Sequence, residues 1–177
     1  MWPRNFFRQI SFLRIILNAR LATISVVLCL ACAPAFSQDR PFTNKLLERA
    51  QGGYLQEQLE VARAFQLGLG VDHNLAEAAR WFHRAADQGN PEAQCQLGLL
   101  YHHGSGVQRD DREAFQWFQR AALENYAPAQ FDLSLLLLRG AGTPEDRAQA
   151  AHRMMSAAQQ GLPQAQTDLG ILYLRGD

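Results

Sequence analysis

Residues 91–126 read PEAQCQLGLLYHHGSGVQRDDREAFQWFQRAALENY, and the same pattern recurs along the chain at a step of 36 residues. The glycines that keep this step are Gly68, Gly104, Gly140 and Gly176. The apolar and alanine positions that keep it include Val61, Leu97, Leu133 and Leu169, and Ala85, Ala121 and Ala157. A fixed period of this length is typical of units made of two helices that stack side by side.

Within this unit the spacing predicts two helices. Apolar side chains recur at i, i+4 and i+7 from Ala93 and predict a first helix, A, over residues 91–103. Gly104 ends helix A, because glycine adopts the left-handed conformation without a steric cost. Asp110 or Asp111 caps the second helix, B, which is apolar on one face. The sequence therefore predicts an all-α fold, an α-solenoid of stacked antiparallel helix pairs.

The same register divides the chain into segments. Residues 38–53 match a lone B helix and form a leading half-repeat, and residues 54–177 hold three full units and a final A helix. That final helix carries Leu169, Leu172 and Tyr173 where a following B helix would cover them. We therefore expect these side chains to be shielded by a partner or by a homodimer through the C-terminal helix.

Residues 1–37 have the layout of a secretory signal peptide. Four arginines precede the first acidic residue, Asp39, and the uncharged apolar run Leu21–Ala33 of 13 residues is followed by small residues. A membrane-spanning helix needs about 20 apolar residues, so cleavage and a periplasmic or secreted location are expected, with the cut before Gln38 or slightly earlier, at Ala33-Pro34-Ala35. A retained anchor, a start codon placed too far upstream, and lipidation at Cys32 are the alternatives.

Charge and cysteine content narrow the classes of function. The whole chain has 17 basic and 17 acidic residues, and removal of the four leading arginines leaves 13 basic against 17 acidic. An acidic domain has no electrostatic reason to bind nucleic acid. Of Cys29, Cys32 and Cys95, only the last would remain after cleavage, which excludes an intramolecular disulfide and a zinc site built from paired cysteines.

The residues do not predict a catalytic, cofactor or metal site. Each Gly-x-Gly follows a helix rather than a strand, so it is a turn and not a dinucleotide motif. His102 and His103 are adjacent and point in different directions on a helix, which is unsuitable for a shared metal. Neither Ser105 nor Cys95 has a recognisable base beside it. We expect no enzymatic activity and no small-molecule substrate.

The unit resembles the Sel-1-like repeat, a branch of the tetratricopeptide-like helical repeats, in these residues: Ala93-Gln94, Leu97-Gly98-Leu99-Leu100-Tyr101, Gly104-Ser105-Gly106-Val107, Asp110, Ala114, Trp117-Phe118 and Ala121-Ala122. The resemblance implies a non-enzymatic scaffold or adaptor that holds another protein. Exported bacterial members look like regulators of envelope signalling or polysaccharide secretion. Some resemble immunity proteins that occlude a toxic effector such as a lipase. Cysteine-rich relatives suggest a β-lactamase-like hydrolase, but the serine-lysine signature of that activity is absent here.

In stacks of this kind the A helices line a concave groove, and the positions left over by the core pattern are expected to face it. In chain order they are Leu59, Arg63, Gln66, Cys95, Leu99, His102, Phe131, Leu135, Leu138, Thr167, Ile171 and Leu174. They change from polar to apolar along the array, and an exposed apolar strip typically binds a partner. The alternative is that neighbouring A helices or a second copy bury this strip.

Overall fold

A computed structural model describes residues 42–175. The predicted signal peptide and the alternative lipidation site at Cys32 lie outside the described residues. The described part consists of helices and contains no strand: α1 Asn44–Gln51, α2 Leu55–Leu67, α3 Leu75–Asp87, α4 Pro91–His103, α5 Asp111–Leu123, α6 Ala127–Arg139, α7 Arg147–Gln159 and α8 Pro163–Arg175. The predicted all-α fold is confirmed.

The helices repeat at the predicted step of 36 residues. The A helices α2, α4, α6 and α8 each have 13 residues, as do the B helices α3, α5 and α7. Each helix packs mainly against the helix before it and the helix after it. The buried side chains form three clusters that follow one another along the stack. The core is therefore a band between the A and B layers, as expected for a solenoid.

The helix ends follow from the residues at the boundaries. Gly104 ends α4 in the left-handed conformation, with φ of 68°. The Asp110 carboxylate caps α5, because it accepts hydrogen bonds from the backbone N–H groups of Arg112 and Glu113 at 2.9 and 3.2 Å. Asn125 is the only residue other than glycine with positive φ in residues 42–175. These boundaries confirm the predicted span of residues 91–103 and the cap at Asp110.

Two glycines allow neighbouring units to approach closely. A Cβ built on Gly98 would lie 2.7 Å from Cε1 of Phe118, so α5 packs directly onto the backbone of α4. A Cβ on Gly106 would lie 2.3 Å from the carbonyl carbon of Leu75, so the loop of the second unit rests on the start of α3. A side chain at Gly106 would displace the backbone of Leu75, and a side chain at Gly98 would require the Phe118 ring to move.

The glutamine at the fourth position of three A helices reaches back to the end of the preceding B helix, whereas Gln130 of α6 donates to Asn125 Oδ1 at 3.0 Å. The side-chain amides of Gln58 and Gln94 each donate to a backbone carbonyl, of Ala50 and Ala86, at 3.2 Å. Gln166 donates to the Ala158 carbonyl at 3.1 Å. These three carbonyls also accept from the backbone N–H groups of Gly53, Gly89 and Gly161, so each glutamine adds a further hydrogen bond at a helix end.

A second glutamine completes the arrangement in two of the units. Gln88 Nε2 donates to Gln58 Oε1 at 2.7 Å, and Gln160 Nε2 donates to Gln130 Oε1 at 2.8 Å. The equivalent residue of the remaining unit is Glu124, and an ionised carboxylate has no proton to donate. The buried Gln94 Oε1 accordingly has no hydrogen-bond partner.

None of the helices between residues 42 and 175 is both long enough and apolar enough to cross a membrane.

Candidate protein-binding surface

The residues predicted to line the groove lie mainly in the seams between consecutive A helices. Arg63 on α2 forms an ion pair with Glu92 on α4. The Gln66 amide donates to Gln96 Oε1 at 3.5 Å in the same seam. A polar side chain held by the next A helix in this way is only partly available to a partner.

Two of the predicted groove residues are buried. Leu59 and Cys95 are each 3% exposed. The Cys95 thiol donates to Asp132 Oδ2 across the seam between α4 and α6 at 3.7 Å. The expectation that these two side chains face an open groove is therefore corrected, because this position of an A helix points at the following A helix.

The Cys95 environment disfavours nucleophilic chemistry. Burial, followed by the nearby Asp132 carboxylate, raises the pKa of the Cys95 thiol far above its ordinary value. The thiol therefore stays protonated, whereas a nucleophile must be a thiolate. Burial also raises the pKa of Asp132, to about 6. Within residues 42–175, no three histidine, cysteine, aspartate or glutamate side chains are grouped as metal ligands would be.

The second and third units contribute partly buried side chains. Leu99 packs against the second core cluster. His102 Nδ1 lies 2.6 Å from Asp111 Oδ1. Burial acts to raise the pKa of Asp111, but hydrogen bonds from His102 and Arg109 outweigh it and hold that pKa below its ordinary value. The three predicted groove residues of α6 pack against the third core cluster: Phe131, Leu135 and Leu138.

The last helix is different, because no described helix follows it. Ile171 and Leu174 are 41% and 90% exposed, and Thr167 is exposed as well. On the neighbouring face of α8, Tyr173 is 64% exposed. A Cβ built on Gly170 would meet no heavy atom within 4 Å, whereas its equivalent, Gly98, is covered by Phe118.

A pocket of about 260 Å³ lies on this face of α8. The residues that line it come from the last three helices: Leu138, Arg147, Ala151, Leu169, Leu172 and Tyr173. We call this pocket, together with Gly170, Ile171 and Leu174, the end surface. It combines two of the predicted groove residues, Ile171 and Leu174, with the apolar face of the final helix.

Sequence reasoning missed the roles of two residue types. Gln94 was part of the repeat motif, but its hydrogen bond to Ala86 depends on the distance between two elements and is not visible in a helical pattern. The hydrogen bond of Asp132 was not predictable from the sequence either, because its partner Cys95 lies on another helix.

Comparison with known proteins supports the same architecture. The family model described as Sel1 repeat matches residues 58–90, 91–126, 127–162 and 163–177. None of the curated proteins is significantly similar to the chain.

The solved structures that resemble the chain include the following three. A protective antigen of uropathogenic Escherichia coli strains with an SLR fold is 32% identical, with a TM-score of 0.72, over 74% of this chain and 28% of the antigen. A Sel1 repeat protein from Oxalobacter formigenes is 33% identical, with a TM-score of 0.66, over 71% of this chain and 51% of that protein. Cysteine rich protein B of Helicobacter pylori, at 18% identity and a TM-score of 0.58, covers 71% of this chain and 92% of its own length and shares the fold.

The chain thus spans about a quarter of the length of the first protein and about half of the length of the second. Sel1 repeat proteins generally mediate protein–protein interactions and are generally non-catalytic scaffolds. The four consecutive matches, the 36-residue register and the helix-pair stack place this chain in the Sel1 repeat family.

Proposed function

We propose that the chain is exported and acts in the bacterial envelope as a non-enzymatic scaffold that binds another protein through its end surface. The observation that carries the proposal is the difference between two equivalent glycines. Gly98 is covered by an aromatic ring of the next helix, and Gly170 is open.

The exposed apolar side chains of α8 support this choice of surface. Leu97, Leu133 and Leu169 are equivalent residues of three consecutive A helices. Leu97 and Leu133 are each 1% exposed, whereas Leu169 is only partly buried. The end surface therefore leaves apolar area in water that the same positions bury elsewhere in the stack. Exposed apolar area of this kind is typical of an interaction site.

The interface between an A helix and the following B helix indicates what would bind. In that interface α5 places Phe118 over Gly98 and small alanine side chains beside it. Since Gly170 is the equivalent of Gly98, we infer that the partner at this part of the end surface is an amphipathic helix of another protein, with an aromatic residue flanked by small residues. An immunity role would use the same surface to occlude an effector.

A peptide of residues 110–124 is a defined probe for the end surface, because it contains the B-type face of α5. We expect it to bind the full chain, and to bind less well when its own Phe118 is replaced by alanine. Gly170→Leu should reduce binding by about tenfold or more, since the new side chain would occupy the place of the ring. Fluorescence anisotropy of the labelled peptide measures both effects.

The matched control is Leu67→Asp, which changes a side chain of α2 that is 64% exposed and distant in sequence from α8. Peptide binding that is lost equally in Leu67→Asp and Gly170→Leu would contradict a specific end surface. Light scattering of the full chain tests the alternative of a second copy. A dimer that dissociates in Gly170→Leu would assign the surface to self-association instead.

The signal-like segment of residues 1–37 supports export, and its processing is measured separately. Expression in a bacterial host followed by periplasmic extraction should yield a protein whose mass corresponds to a chain that starts at Gln38. A full-length chain found only in the cytosol would contradict the proposed location. The binding surface is tested separately, by the peptide experiment.

A further inference from the structure

The loop that joins α4 to α5 contains a glycine that lies close to the backbone of the preceding unit. A Cβ built on Gly106 would overlap the carbonyl group of Leu75 and would lie 2.6 Å from the nitrogen of Ala76. These atoms form the first peptide group of α3. Gly106 therefore approaches the start of a B helix to a distance that only a residue without a side chain permits.

The loop of the next unit repeats this contact. A Cβ on Gly142 would overlap the carbonyl group of Asp111 and would lie 2.7 Å from the nitrogen of Arg112, which together form the first peptide group of α5. In the first unit Gly70 approaches Phe42 instead, just before α1. Two consecutive junctions thus use the same contact between a glycine and the first peptide group of the preceding B helix.

The start of α7 is the equivalent place at the last junction. Its first peptide group joins Arg147 to Ala148, one repeat after Asp111. No glycine of residues 42–175 lies against it. The Arg147 side chain is 70% exposed, whereas the Asp111 side chain is 22% exposed. We call this peptide group the loop-contact site, and it borders the end surface, because Arg147 also lines the pocket there.

The spacing in the loops relates this contact to the helix that follows. In each of the three loops a glycine precedes the first residue of the B helix by five residues: Gly70 before Leu75, Gly106 before Asp111 and Gly142 before Arg147. In the second unit, Phe118 follows Gly106 by 12 residues and covers Gly98. One continuous segment therefore makes both the glycine contact and the aromatic contact.

We propose that the helix that binds the end surface is preceded by a glycine, five residues before the helix begins, which lies on the loop-contact site. This inference rests on the proposed function and adds a second determinant to the aromatic residue over Gly170. Gly106 and Gly142 of a second copy already make this contact within their own chain, so the occupant is a segment of another protein. The contact is selective, because such a close approach of two backbones excludes every residue other than glycine.

Two peptides of this chain separate the loop-contact site from the rest of the end surface. Residues 110–124 contain the helix alone, whereas residues 104–124 also contain the glycine loop. We expect the longer peptide to bind the full chain about tenfold more tightly, because it adds the backbone contact at α7. Fluorescence anisotropy measures both affinities. NMR should show shifts of the Arg147 and Ala148 amides with the longer peptide only.

Substitutions in the longer peptide identify the glycine. Gly106→Ala should return the affinity to that of residues 110–124, since the methyl group would overlap the peptide group at α7. Gly104→Ala is the matched control: Gly104 also has a positive φ, but the nearest atoms to a Cβ there belong to Arg109 of its own loop. Both changes strain the turn and only the first blocks the contact, so the control should keep part of the gain.

A substitution in the chain gives an independent test. Ala148→Pro places a pyrrolidine ring on the nitrogen of the loop-contact site, and a proline near the start of a helix is already accepted in α6, at Pro128. This variant should abolish the advantage of the longer peptide and leave the binding of residues 110–124 unchanged. Circular dichroism confirms that the variant is folded.

The outcomes distinguish this inference from the proposed function. Equal affinities of the two peptides, equal losses from Gly106→Ala and Gly104→Ala, or an advantage that persists in the folded Ala148→Pro variant would overturn the inference while the helix-binding surface stands. Failure of both peptides to bind the full chain would overturn the two proposals together.

Discussion

The ring of Phe118 lies against the backbone of Gly98, so that a Cβ on the glycine would be 2.7 Å from Cε1 and 2.8 Å from Cδ1. Phe118 is itself 1% exposed. The distance between α4 and α5 is therefore set by the absence of one side chain. Gly170 occupies the equivalent position on α8 and has no such neighbour.

Gly98→Ala should destabilise the protein by about 1 to 3 kcal/mol, because the added methyl group must displace a closely packed ring. Gly170→Ala is the matched control and should stabilise by about 0.5 to 1 kcal/mol, since alanine is the better helix former. Urea denaturation followed by circular dichroism measures both changes. Equal effects of the two substitutions would contradict the packing role of Gly98.

Glu124→Gln should stabilise the protein by about 1 kcal/mol, because the new amide can donate to the buried and unpaired Gln94 Oε1. Gln88 and Gln160 already make the equivalent bond in their own units. The reverse change, Gln88→Glu, removes the donor to Gln58 and should destabilise by a similar amount. Thermal denaturation of both variants tests this. If Glu124→Gln does not stabilise the protein and Gln88→Glu does not destabilise it, positions 124 and 88 are not equivalent.

Asp132→Asn should stabilise the protein at alkaline pH and have little effect in acid. Burial raises the pKa of Asp132 in the folded state from the ordinary 3.8 to about 6, so the folded protein holds the proton more tightly than the unfolded chain. The corresponding stability is fully present below the unfolded pKa and is lost as the pH rises through about 6. The neutral asparagine avoids that loss, which is at most about 3 kcal/mol.

Denaturant midpoints of the two proteins, compared on both sides of this pH range, measure the effect. The comparison isolates Asp132, because all other titrating groups are common to both chains. A difference between the two proteins that is the same at every pH would contradict a raised pKa at this position.

Much of the fold was predictable from the sequence because its signals are local. Helical spacing from Ala93 and the glycine at Gly104 define α4, and a side-chain cap at Asp110 begins α5. Each of these features depends on residues within a few positions of one another.

The candidate site was only partly predictable, because an A helix in a stack has more than one packed side. The helical pattern identifies the side that faces the B helices. It does not show that Cys95 lies against Asp132 or Arg63 against Glu92, since those contacts depend on how closely consecutive A helices approach. The prediction for Ile171 and Leu174 agrees better with the structure, because the described residues include no helix beyond α8.

The constant register also has a genetic consequence. Recombination between equivalent codons would remove or duplicate a whole unit and leave each helix beside a neighbour of the type it already contacts. If residues 91–126 were excised, for example, Gly142 would meet the start of α3 as Gly106 does now. Such a protein can change its length in steps of one unit, and the number of helices between α1 and the apolar face of α8 would change by the same steps.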